Sequence, residues 1–338
     1  MSGSDLPSEF ALIARYFAPL SAGEPGAFGL GDDAAVLAPA PGNEFVLTKD
    51  ALVEGVHFLA DDPPETVARK LLRVNLSDLA AKGAKPRAYM LATAFSPRID
   101  GAWLGAFAAG LAADQRRFRD HPDRRRHRRN ARPADPVFRT AIGEIAAGSM
   151  LRRGGGRAGD VVYVSGTIGD AALGLAVCAA SMAGLRPDAA RFVTDRYRVP
   201  EPRVDLGRAL VGLATAAIDV SDGLVADLGH ICEQSGLGAE IGAARVPLSA
   251  AGQAALAKDP SFLHRALAGG DDYEILFTAP PGARPSVLDA ASRAGVAVTE
   301  IGVLAASIGT AKGTGSGVRV LAPDGSPIAL GRTGYRHY

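Results

Sequence analysis

Short β-rich runs and helical periods follow one another along this chain without a repeating strand–helix–strand rhythm. That irregularity argues against one doubly wound sheet and for two packed α/β layers. Phe45 to Thr48 is a β-branched and aromatic run, read as a strand ending at Lys49-Asp50. Residues 64–82 carry apolar residues at helical spacing, with Pro64 near the start and Gly83 just past the end. Further strands are expected at Tyr89 to Phe95, Val161 to Ser165, 215–220 and Glu274 to Thr278. Helices are expected at Glu9 to Tyr16, 100–117, 168–183, 224–236 and 285–294. A length of 338 residues is long for one core, and the text divides into domains at 1–145 and 146–338.

Apolar residues make up 47% of the chain and charged ones 22%, enough to bury a sizeable core. A net charge of +1 gives no global attraction to nucleic acid or to a membrane surface. No uncharged apolar run reaches the roughly 20 residues of a membrane helix. The first ten residues lack the basic-then-apolar pattern of a signal peptide. Cys178 and Cys232 are too few for a disulfide framework, so a reducing, cytoplasmic setting is expected.

Three aspartate-rich turns are flanked by glycine: Gly31-Asp32-Asp33, Asp219-Val220-Ser221-Asp222-Gly223 and Gly269-Gly270-Asp271-Asp272. Asp50 and Asp78 stand at the edges of other elements. Like charges on tight turns raise one another's pKa unless a cation is supplied. Magnesium, which takes oxygen ligands and bridges phosphates, is the natural partner. Any one Asp-Gly pair is ordinary turn or cap chemistry, and taken alone that is the better reading. Five such sites in one chain change the balance.

Phosphate handling is less direct. No GxxxxGK[ST] loop occurs, which argues against a Walker-type site. Gly154-Gly155-Gly156 lacks the preceding strand of a dinucleotide fingerprint and reads as a turn. Beside it Arg152 and Arg153 form either a phosphate clamp or a solvated basic turn, with equal weight. His57, between a strand end and Phe58, reads by itself as a partly buried structural histidine.

Taken in series, GLGDDAAV, LTKDALVEGVHF, KLLRVNLSDLAAKGAKP, GDVVYVSGTIGDAALGL, AIDVSDGLVADLGHI, LAGGDDYEILFT and the terminal GYRHY resemble the thiamine-monophosphate kinase family. The likeness runs in order from about residue 8 to residue 338. Single motifs are shared with the wider aminoimidazole ribonucleotide synthetase-like superfamily, whereas EGVHF, NLSDLAA and SDGL together are more specific. The resemblance implies an α/β protomer of the α+β type in two domains, dimerising through its N-terminal sheets. It also implies ATP and several Mg²⁺ ions in a cleft between domains. Carried over by position, the metal ligands would be Asp33, Thr48, Asp50, Asp78, Asp219 and Asp222. Ser221 and Arg153 would touch ATP, and His57, Asp271 and Tyr335 would face thiamine monophosphate. Asp271 stands where the family often has glutamate, which keeps the charge on a shorter stem.

Residues 119–139 break the surrounding pattern with eight arginines and two histidines. Here the family carries an apolar strand leading into a metal-binding GGDT turn. Back-translated and read one base downstream, 119–136 permits GITLIGGDTVATPGPLTL, with Arg124-Arg125-Arg126-His127 falling on Gly-Gly-Asp-Thr. Two compensating single-base shifts, near Arg119 and Arg139, account for this. As written, the segment is expected to loop out and to leave the N-terminal sheet short of a strand. The chain would also lose one metal-binding carboxylate.

Two other classes compete with a kinase. One is another ATP-dependent synthetase of the superfamily; its selenophosphate-forming branch needs an N-terminal reactive cysteine, which this chain lacks. The other is a degenerate module that binds nucleotide or thiamine phosphate without turnover. A nucleic-acid binder ranks last, because the basic charge is confined to one segment without interleaved aromatics.

Overall fold

A computed structural model describes residues 8–22, 25–93, 99–118, 137–182, 184–306, 317–331 and 333–335. The chain forms two compact units. The first comprises 1–79 and 85–148, the second 80–84 and 149–338. Residues 80–84, at the end of a long helix, group with the second unit.

In the first unit the elements are α1 (Glu9–Leu12), β1 (Asn43–Leu52), α2 (Pro64–Ala81), β2 (Lys85–Thr93), α3 (Gly101–Arg117) and β3 (Val137–Ala146). The helix expected at Glu9 to Tyr16 stops at Leu12 and continues as a wider π turn, Ile13–Phe17. Pro64 opens α2, where its missing N–H costs nothing. Asp100 caps α3 by accepting from the Trp103 amide at 2.8 Å. The three strands run antiparallel in the order β1-β3-β2. Val46, Leu52, Tyr89, Leu91 and Ala141 are buried on one face of this sheet, while Leu47 and Met90 on the other are exposed. Two cations are buried in α2: Lys70 donates to the His57 carbonyl at 2.8 Å, and Arg73 to Asp114 at 2.5 and 2.9 Å.

The sequence places 119–139 outside the sheet as a loop. Residues 119–136 lie outside the described residues, but Val137, Phe138 and Arg139 begin β3, the central strand. Contrary to the expectation that these arginines stay in water, Arg139 is buried. One guanidinium N–H donates to the Leu72 carbonyl at 2.8 Å and the group stacks 4.1 Å from the centre of the Tyr89 ring.

The second unit contains β4 (Val161–Ser165), α4 (Asp170–Cys178), α5 (Pro187–Arg198), α6 (Val204–Ala209), β5 (Ala216–Asp219), α7 (Leu224–Ser235), β6 (Gly238–Gly242) and α8 (Ala250–Lys258). It is completed by α9 (Phe262–Ala268), β7 (Ile275–Ala279), α10 (Arg284–Ala294), β8 (Val298–Ala305) and β9 (Val318–Leu321). Its sheet has the order β5-β7-β4-β8-β6-β9 and is antiparallel except for the β6–β9 pair. One face packs on α7 through Ile218, Leu228, Ile231 and Leu276, the other through Tyr163, Phe277 and Val287. No helix among the described residues is long and apolar enough to cross a membrane.

Candidate active site

Strand β5 runs buried for its whole length and delivers Asp219 to its end, 3% exposed. The chain then turns through Val220-Ser221-Asp222-Gly223 into α7. The anchor of this turn is Asp227, in the first turn of α7 and not foreseen from sequence. Its Oδ2 accepts from the amides of Ser221, Asp222 and Gly223 at 3.0, 3.1 and 3.1 Å. Burial, followed by the charges of Asp219 and Asp222, pushes the Asp227 carboxyl well above the usual range. Asp222, Asp227 and His230 each offer a ligand atom, all within 4.8 Å of one another. An aspartate four residues into an apolar helix was the available signal, but it reads equally well as a solvent-facing residue.

Two further segments dock on the same turn through the backbone. The Asp271 amide donates to the Ser221 carbonyl at 2.9 Å, and the Tyr335 amide to the Asp222 carbonyl at 2.9 Å. Ser221, Asp222, Asp271 and Tyr335, drawn from three stretches of sequence, are thus joined. Arg153 is exposed in the same unit. The carbonyl of its neighbour Arg152 accepts from the Ala217 amide at 2.8 Å, so this loop covers the free edge of β5. Gly154 and Gly155 permit that approach, because a Cβ on either would lie 2.6 Å from a backbone oxygen of Gln234 or Thr215. Gly155 also has φ +127°.

In the first unit Thr48 and Asp78 meet, the threonine hydroxyl donating to Asp78 Oδ2. Asp50 lies two residues along β1 on the same face as Thr48, opposite Arg139. His57 sits in the turn after β1, where its Nδ1 accepts from the Val53 amide at 3.0 Å. That bond leaves the proton of a neutral ring on Nε2. Asp33 is exposed in the coil after Leu30, its amide held by Asp32 Oδ1 at 2.7 Å. Among the described residues no hydrogen bond joins Asp33 to Thr48, Asp50 or Asp78. Every carboxylate and hydroxyl in these sets is a hard oxygen donor of the kind that holds magnesium beside phosphate.

Residues 31–119 match the N-terminal domain of AIR synthase related proteins, and 157–311 match the C-terminal domain. The first match ends where the arginine-rich run begins. The thiamine-monophosphate kinase of Caulobacter vibrioides is 44% identical over 299 residues, covering 88% of this chain and 84% of that protein. The crystal structure of thiamine-monophosphate kinase from Stenotrophomonas maltophilia superposes with a TM-score of 0.76 at 35% identity, over 88% and 91% of the two chains. AaThiL, complexed with AMPPCP and TMP, superposes with a TM-score of 0.73 at 28% identity, over 93% and 97%. The chain belongs to the thiamine-monophosphate kinase family, within the AIR synthase related proteins.

Proposed function

We propose that this chain transfers the terminal phosphoryl group of ATP to thiamine monophosphate, yielding ADP and thiamine diphosphate. The observation that carries the reading is the stitched acidic turn of the second unit. It holds together the residues expected to meet nucleotide (Ser221), metal (Asp222) and thiamine phosphate (Asp271 and Tyr335). AaThiL, with AMPPCP and TMP bound, supports the same pair of substrates.

The oxygen donors fit magnesium. Within the second unit Asp219 and Asp222, and within the first Thr48, Asp50, Asp78 and Asp33, are each donors of the kind that would hold magnesium. When bound, the metal would neutralise charge on the approaching phosphates. The guanidinium of Arg153 would pair with ATP phosphate oxygens, and the Ser221 hydroxyl would bond the nucleotide. His57, Asp271 and Tyr335 would orient the acceptor. Because the acceptor phosphate is already ionised at neutral pH, no strong general base is needed, and the chain's task is alignment for direct in-line transfer.

The exposed face of the three-stranded sheet is the surface we propose for contact with a second copy of the chain. Leu47 (65% exposed) pairs with Ile142, and Met90 (55% exposed) lies beyond it on β2. We assign this face to a homodimer in the cytoplasm.

The test is ADP release from ATP and Mg²⁺ with and without thiamine monophosphate, for the wild type and Asp222→Asn. Release that depends on thiamine monophosphate and is lost in the variant supports the kinase. Binding of both compounds without ADP release supports a degenerate module. Retention of configuration at the transferred phosphorus would exclude direct transfer.

A further inference from the structure

Behind the Gly269–Glu274 segment lies a buried polar assembly that neither metal nor phosphate binding explains. Glu274 is fully buried. Its carboxylate accepts from Ser165 Oγ at 2.6 Å, from Arg196 at 2.9 Å and from two nitrogens of Arg203 at 2.7 and 2.5 Å. The Arg203 contact is a two-pronged fork spanning both carboxylate oxygens, the strongest geometry for this pair. Arg196 also donates to the Asp272 carbonyl at 2.9 Å. The Asp272 side chain, fully buried, accepts from the amides of Gly169 and Ala171 at 2.6 and 3.1 Å.

Between these inward anchors, the backbone takes an unfavourable course. Asp271 and Tyr273 have φ of +71° and +51°. Left-handed backbone costs a residue with a side chain of the order of 1 kcal/mol or more, and two such residues in so short a stretch persist only where the surroundings impose them. The imposed shape has one visible product. It lets the Asp271 amide reach the Ser221 carbonyl, the Tyr273 amide reach the Val220 carbonyl at 2.8 Å, and the Tyr273 hydroxyl touch Asp271 Oδ1 at 3.2 Å. The Val220 amide closes the ring on the Glu274 carbonyl at 2.8 Å. A buried ion group is weak evidence for stability in itself, whereas it does fix one geometry among several.

We infer that Glu274, gripped by Arg196, Arg203 and Ser165, is a positioning residue for phosphoryl transfer. It holds the left-handed Asp271–Tyr273 turn so that the Asp271 carboxylate faces the thiamine phosphate from a fixed seat on the Ser221–Asp222 turn. This rests on the reading of Asp271 as a substrate-facing residue.

The experiment is a double-mutant cycle on steady-state kinetics with Asp271→Asn, Glu274→Gln and the pair. Arg203→Lys serves as a milder probe should Glu274→Gln not fold. Alone, Glu274→Gln or Arg203→Lys should raise KM for thiamine monophosphate about tenfold and leave KM for ATP within twofold. In the Asp271→Asn background the same change should add less than twofold, because the seat no longer carries its charge. Additive effects in the two backgrounds, or equal rises in both KM values, overturn the positioning role and leave the Asp271 assignment standing. A silent Asp271→Asn variant removes that assignment and this inference with it.

Discussion

Asp50 and Arg139 stand opposite each other across the β1–β3 ladder, on the face of the sheet that also carries Thr48. Arg139 is the residue at which the arginine-rich segment rejoins ordinary text. Its Nε is buried with no hydrogen-bond partner among the described residues, and burial draws the guanidinium pKa down to about 10. A cation thus lies buried on the face that is expected to receive magnesium.

Replacing it should help the fold. Arg139→Thr removes a desolvated charge and the orphaned N–H, and should stabilise the protein by about 1–3 kcal/mol in the presence of Mg²⁺. The same variant should bind Mg²⁺ more tightly, because Asp50 loses a competing positive neighbour. Urea unfolding with and without Mg²⁺ measures both. A destabilised variant would mean that Arg139 is a native partner of Asp50.

The arginine run itself is testable at the level of the gene. The coding DNA should show one-base shifts flanking residues 119–139. Protein carrying Gly-Gly-Asp-Thr at 124–127 should turn over at least ~100-fold faster than the literal chain, since a metal-binding carboxylate returns. Equal turnover, with the segment verified by mass, would contradict this.

Stability should depend on pH through Asp272. Burial raises its carboxyl to about 7, against an ordinary value of 3.8, even though two amides and Arg196 oppose the shift and Asp170 adds to it. The folded state therefore keeps this proton longer than the unfolded chain does. Its contribution to stability is complete below about pH 4, declines as pH rises through 7, and is level above that. Asp272→Asn should lack that decline. Urea unfolding between pH 4 and 8 compares the two, and a wild-type-minus-variant difference that stays flat would remove the carboxyl from this role.

Helices α4 and α5 touch at Gly174, where a Cβ would lie 2.0 Å from the Val193 carbonyl oxygen and 2.6 Å from its carbon. Backbone cannot yield as a side chain does. Gly174→Ala should cost about 3 kcal/mol by denaturant unfolding, whereas Gly282→Ala, with open space around it, should change stability by less than about 0.5 kcal/mol. Equal effects would mean that the helix pair separates freely.

Local pattern and chemistry were legible in the chain itself. Period and punctuation marked α2, α3, α7, β4 and β5, because each carries enough apolar contrast to be recognised from its own residues. Helix α5 went unmarked although its two faces differ clearly, and so did α6, α8 and α9. The last three are short, and α8 turns mostly alanine to the core. The acidic turns, and the motifs that place the chain in its family, were likewise written in sequence. Partnership was decided by tertiary structure. Ser165 and Glu274 are 109 residues apart and meet because β4 and β7 pair in one register. Asp227 became an anchor only when the turn before α7 curled its amides onto it, and Arg139 was buried only when β3 took the centre of its sheet. Such meetings depend on which distant backbones lie side by side, and a residue's own neighbours in sequence carry no record of that.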